Sequence, residues 1–194
     1  MRRGVSLLAM VVLVAGCSTG KDAVVQGSDY EFVAPGGQTK IFYDGATRKP
    51  LPNITGDDLI HPGKQIGVAD FPGDVVVLNI WGSWCPPCRN EAVELQKINQ
   101  QWQARGVRVL GVDVKESGRS GGQDFLRDRN IGYPSIFDLS GRSLLPLKNY
   151  PKSTIPSTIV LDRQHRVAAV YLQSLLTTDL APELQKLTAE PDTR

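Results

Sequence analysis

The pattern of apolar and polar positions from residue 75 to residue 114 predicts a strand, a helix and a second strand. Val75–Trp81 is apolar at every position except Asn79, which is typical of a central strand buried on both faces. The segment that follows places apolar residues at three- and four-residue steps and ends by Gly106, which predicts an amphipathic helix. Val107–Val114 predicts the next strand. Two strands joined by one helix form a βαβ unit, so we expect a parallel pair with a right-handed crossover.

Shorter elements are predicted on both sides of this unit. Tyr30–Val33 and Thr39–Tyr43 alternate as strands do, and Pro35–Gly37 between them predicts a turn, so we expect a β-hairpin. Residues 44–73 are rich in Pro, Gly and Asp and predict mostly loop. Further along, we expect a glycine-rich loop at 118–122, a short helix at 123–129, a strand at 135–139, a hairpin of strands 158–161 and 167–172, and a last helix over 179–189 with Thr178 as candidate N-cap.

The first residues have the pattern of a secretory signal peptide. Arg2 and Arg3 precede an apolar run that is short for a membrane span of ~20 residues. Residues 14–17 resemble the lipobox of bacterial lipoproteins, which implies cleavage before Cys17 and a lipid on its sulfur. An ordinary signal peptide and an uncleaved anchor are the alternatives. All three place the domain outside the cytoplasm, and we expect a signal peptide at 1–16, a lipid-anchored tether at 17–29 and one domain at 30–190, with an N-terminal extension at 30–65.

Loss of the signal peptide changes the charge balance. Residues 1–16 carry two arginines and no acids, so Lys+Arg falls from 22 to 20 against 20 Asp+Glu. The mature chain is near neutral, and it has no basic run of the kind that binds nucleic acid. We therefore expect no nucleic-acid partner.

The cysteine count favours a redox pair. Of three cysteines, Cys17 is assigned to lipid, which leaves Cys85 and Cys88. The two histidines are isolated and not at metal-ligand spacing, so we expect no metal. Arg89 follows Cys88, which excludes the C-x-x-C-H pattern of haem attachment. A structural disulfide or half of a zinc site is the alternative to redox activity.

The stretch Trp84-Cys85-Pro86-Pro87-Cys88 lies where the predicted strand meets the predicted helix. Unpaired N–H groups and the positive end of the helix dipole stabilise a thiolate at such a position. Pro86 and Pro87 lack N–H groups, which leaves chiefly the Cys88 amide as a donor near the Cys85 sulfur. Because strong oxidants owe their strength to an unusually stable thiolate, the two prolines favour a reductant over an oxidant.

Strand, W-C-x-x-C and helix together predict a thioredoxin-like thiol-disulfide oxidoreductase. Cys85 would be the exposed nucleophile that attacks a substrate disulfide, and Cys88, one turn inward, would resolve the mixed disulfide. Glu91 is three residues beyond Cys88 on the same helix face. A shielded carboxylate there could carry the proton of Cys88, whereas an ordinary solvated glutamate is the alternative.

Residues 78–91, taken with residues 155–158, resemble the TlpA/ResA/CcmG branch of the thioredoxin superfamily. The resemblance implies an α/β thioredoxin-like fold with a central mixed β-sheet flanked by helices, to which the hairpin at 30–43 would be an N-terminal extension. Members are membrane-tethered, extracytoplasmic thiol reductases. Many reduce the haem-binding cysteines of apocytochrome c and receive electrons from a CcdA- or DsbD-type membrane protein. The resemblance implies no cofactor beyond the Cys85–Cys88 disulfide.

The resemblance also assigns roles by position. It implies that Cys85 attacks, Cys88 resolves, Glu91 is the active-site glutamate and Pro156 is a cis-proline that presents the Ile155 backbone to an extended substrate peptide. The residues expected to contact substrate are Trp84, Pro86, Pro87 and Ile155.

Two other functions stay open on the sequence. The same chemistry could run in reverse, as an oxidant that forms disulfides in secreted proteins. A peptide-binding module without turnover is a third class. Peroxidase activity is not favoured, because the motif lacks the threonine and arginine surroundings that a resemblance to peroxiredoxins would require.

Overall fold

In the computed structural model, residues 30–191 are described. They form one mixed sheet of eight strands in the order β1-β8-β7-β4-β5-β6-β2-β3. The strands are β1 Lys40–Phe42, β2 Thr55–Asp58, β3 Gln65–Gly67, β4 Val75–Trp81, β5 Val107–Val114, β6 Ser135–Asp138, β7 Ser157–Leu161 and β8 Val167–Tyr171. The helices are α1 Pro86–Trp102, α2 Arg119–Asp128 and α3 Thr177–Ala189.

The centre of the sheet confirms the predicted βαβ unit. Strand β4 runs parallel to β5, with Val75 opposite Val107 and Trp81 opposite Asp113, and α1 connects the two. Strand β7 lies antiparallel on the other side of β4, and β6 is parallel to β5. Every residue of β4 is buried, as its apolar sequence predicted. The cysteine turn therefore leaves the sheet from its most buried strand.

Two apolar layers cover the faces of this sheet. Alternate residues of β4 point to opposite faces, with Val77 in one layer and Val76 in the other. The first layer contains apolar residues of all three helices, among them Leu95, Phe125 and Leu184. The second layer is closed by the N-terminal extension and the segment before β7, through Tyr30, Phe32, Ile41, Leu144, Leu147 and Tyr150. The helical face is the one that carries the cysteines.

The predicted hairpin at 30–43 is wrong. Strand β1 pairs antiparallel with β8, with Lys40 opposite Tyr171, and Glu31 forms an isolated parallel bridge with Lys148. Both segments thus pair with partners that are distant in sequence. The pairing of β1 satisfies backbone groups that would otherwise be exposed along the edge of β8.

Other predicted boundaries also change. The segment 44–73, expected to be loop, contains the antiparallel pair β2–β3, and β2 also pairs with β6. The glycine-rich stretch at 118–122 is mostly helix, because α2 begins at Arg119. Helix α3 begins at Thr177 with Leu176 as N-cap, two residues earlier than expected, and Asp179 accepts the Leu176 N–H at 3.0 Å.

Some predictions concern residues outside the described range. The signal peptide, the tether and Cys17 all lie before residue 30. Within residues 30–191, none of the helices combines the length and the apolar character needed to cross a membrane.

Candidate active site

The cysteine pair lies at the start of helix α1. Cys85 is the N-cap residue, Pro86 and Pro87 are the first two helical residues, and Cys88 is the third. The two sulfurs form a disulfide, with Cα atoms 5.3 Å apart. The Cys88 amide donates to Cys85 Sγ at 3.3 Å. The prolines thus occupy helical positions where a missing N–H breaks no intrahelical hydrogen bond, as predicted.

Cys85 is less accessible than the sequence suggested. The residue is only 3% exposed in the disulfide form, so the expectation of an exposed nucleophile is wrong for this state. Its neighbours in sequence, Trp84, Pro86 and Pro87, are exposed. Trp84 is fixed from beneath, since its Nε1 donates to the Val114 carbonyl at 3.0 Å. These three exposed residues form the rim of the site that a substrate would meet first.

The cis-proline loop faces the disulfide. The Ile155–Pro156 peptide bond is cis, as predicted, and Pro156 directly precedes β7, the neighbour of β4. The carbonyl oxygen of Ile155 lies 3.9 Å from Cys85 Sγ. Ile155 is half-buried and Pro156 is buried. Backbone of this loop and the attacking sulfur therefore share one small surface.

Glu91 is buried in the core of the site. It is 1% exposed, so the alternative of a solvated glutamate is wrong. Its Oε1 accepts the Leu175 amide at 3.2 Å and the Thr158 hydroxyl at 3.4 Å. Burial raises the pKa of Glu91 to about 8, although these hydrogen bonds oppose the rise. A carboxyl group with such a pKa can exchange protons near neutral pH.

Asn79 connects the central strand to this glutamate. Its Nδ2 donates to Glu91 Oε2 at 3.2 Å and to Thr158 Oγ1 at 3.0 Å. Because the amide is neutral, it places no second charge beside the carboxyl group. Asn79 and Thr158 are opposite each other in β4 and β7, and the pair therefore fixes Glu91 from the sheet side.

Sequence analysis missed a second group of residues next to the cysteine turn. Glu116 accepts both the backbone N–H of Ser83 at 2.6 Å and the Ser83 hydroxyl at 3.0 Å. Asp113, at the end of β5, is fully buried nearby. The one sequence signal for this group was the pair of adjacent glycines, Gly121 and Gly122, because glycine lets the backbone come close to other atoms. The sequence did not show which residues that backbone would contact.

Comparison with known proteins agrees with this geometry. The sequence profile described as "AhpC/TSA family" matches residues 47–170, a span that includes both cysteines, Glu91 and Pro156. The chain belongs to the AhpC/TSA family. Within this family, the predicted thioredoxin-like fold is confirmed by solved structures.

Relatives within the family indicate which activity the chain has. The chain is 31% identical to the thiol:disulfide interchange protein DsbE of Pseudomonas aeruginosa, over 75% of this chain and 79% of that protein. It is 27% identical to the thiol-disulfide oxidoreductase ResA of Bacillus thuringiensis, over 72% and 78% of the two chains. A secreted thiol-disulfide isomerase from Corynebacterium glutamicum is 44% identical, with a TM-score of 0.82 over 84% of this chain and 100% of that one. The protein is a thiol-disulfide oxidoreductase, as its W-C-x-x-C motif predicted.

Proposed function

We propose that this protein reduces the disulfide between the haem-binding cysteines of apocytochrome c during c-type cytochrome biogenesis. The observation that carries the proposal is the buried Glu91, placed one helical turn after Cys88 with its pKa raised to about 8. A reductase must deprotonate its resolving thiol in every turnover, and a carboxyl group of this pKa suits that task.

The surroundings of Cys85 also favour reduction over oxidation. The Cys88 amide donates to its sulfur at 3.3 Å, and neither proline before it has an N–H to add. The Ile155 carbonyl, an acceptor, lies 3.9 Å from the same sulfur and favours a thiol over a thiolate. Because a less stable thiolate gives a lower reduction potential, the pair is suited to donate electrons.

The reaction proceeds in two exchange steps. The Cys85 thiolate attacks one sulfur of the substrate disulfide, which forms a mixed disulfide and releases the other substrate sulfur as a thiolate. Glu91, as a carboxylate, accepts the proton of the Cys88 thiol. The Cys88 thiolate then attacks Cys85 Sγ, closes the protein disulfide and releases the second substrate thiolate. Two electrons pass to the substrate, and no cofactor beyond the Cys85–Cys88 pair takes part.

The proposal includes a location and an electron donor. We place the protein at the extracytoplasmic face of the plasma membrane, tethered by a lipid on Cys17, with a CcdA- or DsbD-type membrane protein as the donor. The lipobox-like residues 14–17 support the anchor, and a relative named as secreted supports export. Replacement of Cys17 by Ala should release the protein from the membrane fraction. Retention of that variant in the membrane would contradict the lipid anchor.

The first test is the equilibrium reduction potential of the Cys85–Cys88 pair. A value at or below about −220 mV, toward the ~−270 mV of thioredoxin, supports a dedicated reductase. The reduced protein should then reduce a peptide that carries a C-x-x-C-H disulfide, and Cys88→Ala should trap that peptide on Cys85 as a mixed disulfide. A peptide with His replaced by Ala is the control for recognition of the haem-binding motif. A potential near −120 mV would exclude the cytochrome role.

An oxidant or isomerase for secreted proteins is the second candidate, because the C. glutamicum relative carries the name isomerase. A deletion strain separates the two. Loss of c-type cytochromes supports the reductase, whereas loss of disulfides in exported proteins supports the oxidant. If Cys85→Ala with Cys88→Ala left the phenotype of the cell unchanged, the protein would act as a peptide-binding module without turnover.

A further inference from the structure

Two buried acids adjoin the turn that carries the cysteines. Glu116 lies just beyond β5 and is 8% exposed, and its two oxygens accept the N–H and the hydroxyl of Ser83. Asp113, the β5 residue opposite Trp81, is 0% exposed. Neither oxygen of Asp113 has a hydrogen bond of regular distance and angle among the described residues, although the Glu116 carboxyl group is close enough to raise the pKa of Asp113. A buried carboxyl group without partners requires an explanation, because an unpaired charge is costly to bury.

The start of helix α2 is shaped around these two acids. A Cβ atom on Gly121 would lie 2.8 Å from Glu116 Oε2 and 3.3 Å from Ser83 Oγ, and one on Gly122 would overlap Asp113 Oδ2. Glycine inside a helix costs about 1 kcal/mol relative to alanine. Two successive glycines in the first turn therefore bring the helix backbone close to both carboxyl groups, at some cost to the helix itself.

The charges around Asp113 favour its protonated form. Burial, and after it the neighbouring Glu116, together raise the pKa of Asp113 to about 9. Arg119 of α2 acts in the opposite direction. The Arg119 guanidinium is itself bound to Asp57 and to the Asp58 and Leu59 carbonyls. From β4, the packed neighbour is the uncharged Trp81, so Glu116 and Arg119 are the charged groups that bear on Asp113.

We infer that Asp113 is a positioning residue, which in its protonated form leaves Glu116 free to fix Ser83 and thereby the turn that carries Trp84 and Cys85. When Glu116 accepts two hydrogen bonds from Ser83, its oxygens act as they do in a carboxylate. Two neighbouring carboxyl groups in a buried site tend to share one proton, because the ionisation of both is energetically costly. The proton on Asp113 thus keeps one negative charge in the pair rather than two.

Loss of this proton has a defined effect on the exchange reaction. At alkaline pH Asp113 releases the proton to water, and a second negative charge appears beside Glu116. The repulsion pushes the Glu116 carboxylate away from Asp113 and disturbs its hydrogen bonds to Ser83. The turn then holds Cys85 less accurately. The inference rests on the redox activity of Cys85 and Cys88 but does not depend on which disulfide is the substrate.

The test compares the pH profiles of wild-type protein and Asp113→Asn in the reduction of a general disulfide substrate such as insulin. Asn has the shape of the protonated acid and cannot ionise. The ratio of variant rate to wild-type rate should therefore rise about tenfold between pH 7 and pH 10, as expected for an acid with a pKa of about 9. The ratio cancels the pH dependence of the reductant and of the cysteines. Asp128→Asn, the same change at an exposed end of α2, should give a flat ratio.

A flat ratio for Asp113→Asn would overturn the inference. A second measurement needs no variant, in case Asp113→Asn fails to fold. In wild-type protein with carbon-13 in the aspartate carboxyl groups, one carboxyl signal should titrate near pH 9, and the label does not report Glu91 or Glu116. Titration of every aspartate below pH 6 would exclude a protonated Asp113. Failure of the apocytochrome c assay would leave both results intact, since neither uses that substrate.

Discussion

The side-chain amide of Asn79 donates to Glu91 Oε2 at 3.2 Å, between strand β4 and helix α1, the two elements that the cysteine turn connects. This contact limits the effect of burial on the carboxyl group, because a donated hydrogen bond stabilises its ionised form. Burial still outweighs this hydrogen bond and raises the pKa of Glu91 to about 8. An ordinary cysteine thiol has a pKa of about 8.5, so a carboxyl group with a pKa of about 8 is a closer match to a thiol than an ordinary glutamate is.

Replacement of Glu91 by Gln should slow the second exchange step. Gln keeps the shape and cannot accept the Cys88 proton, so resolution of the mixed disulfide should fall by about a hundredfold at pH 7, within the range of general base catalysis. Rapid-mixing measurements with a disulfide peptide resolve this step from the first attack. The defect should shrink only above about pH 8, because Glu91 is then fully ionised while the concentration of hydroxide that deprotonates Cys88 continues to rise.

Glu94→Gln is the matched control for that experiment. Glu94 is on the same helix and binds Lys97 and Thr177, away from the cysteines, and these bonds lower its pKa to about 2. It is ionised over the whole working range and should leave resolution unchanged. Equal defects in the two variants would show that a general loss of helix stability, and not proton transfer, is responsible.

The central part of the site could be predicted because its signals are local. The apolar run of β4, the motif that follows and the spacing from Cys88 to Glu91 all lie within residues 75–91. The helix places Glu91 three residues after Cys88 and one turn away, and the structure places it as expected. The burial of Glu91 was left open, because it depends on Leu175 and Thr158, which are distant in sequence.

The parts that sequence analysis missed depend on long-range contacts. Strand β1 pairs with β8 rather than with its neighbour, and Thr55–Asp58 has no apolar alternation that would mark it as a strand. The contact between Ser83 and Glu116 joins residues 33 positions apart. A glutamate beyond a strand is ordinary in sequence, and only the register of β5 against β4 brings it to the cysteine turn.

The protein should lose stability as pH rises from about 4 to about 9. Folded Glu91 has a pKa of about 8 against an ordinary 4.5, and folded Asp113 one of about 9 against 3.8. Between these values the folded state holds protons that the unfolded state has released. The stability that these two groups contribute is therefore fully present below their pKa values in the unfolded state, and it is lost as pH rises to their pKa values in the folded state. The total loss is on the order of several kcal/mol.

Urea unfolding of the oxidised protein at pH 5, 7 and 9 measures this loss. Glu91→Gln should unfold with a smaller decline between pH 5 and pH 8, since the amide has no proton to lose. An increase in stability over that interval, in wild-type protein, would contradict protonated buried carboxyl groups in the folded state.

Replacement of Pro87 by Ala should make the protein more oxidising. An N-cap side chain accepts from the second or third helical N–H, and Pro87 occupies the second position. Alanine there adds a donor to the Cys85 thiolate. A hydrogen bond to a charged group contributes about 1.5–3 kcal/mol, which corresponds to about 30–60 mV for this two-electron couple. Equilibration with glutathione of known ratio measures the potential.

Pro86→Ala separates the added donor from the loss of proline rigidity. Pro86 is the first helical residue, and an N–H at that position does not reach the N-cap side chain. The reduction potential of the Pro86→Ala variant should stay near the wild-type value. An equal shift of the reduction potential in both variants would mean that the loss of proline rigidity causes it. The absence of N–H donors would then not explain the potential of the wild-type protein.

Gly122→Ala should destabilise the protein, opposite to the usual effect of alanine in a helix. Alanine is ordinarily favoured by about 1 kcal/mol inside a helix. Here its Cβ would overlap Asp113 Oδ2 and lie 3.2 Å from Leu59 Cδ2, both within the packed core. Overpacking of this kind typically costs 1–3 kcal/mol. Urea unfolding at pH 7 gives the free energy directly, and Gly45→Ala, with no atom within 4 Å of its Cβ, is the control for the substitution itself.

A double substitution identifies the clash. In an Asp113→Ala background the carboxyl oxygen that meets the new Cβ is gone, so Gly122→Ala should cost less than it does in wild-type protein. The difference is the coupling energy between the two positions. If the destabilisation caused by the two substitutions were simply additive, the Cβ atom at position 122 would not be in steric conflict with Asp113. The close approach of the α2 backbone to that acid would then not help to position the cysteine turn.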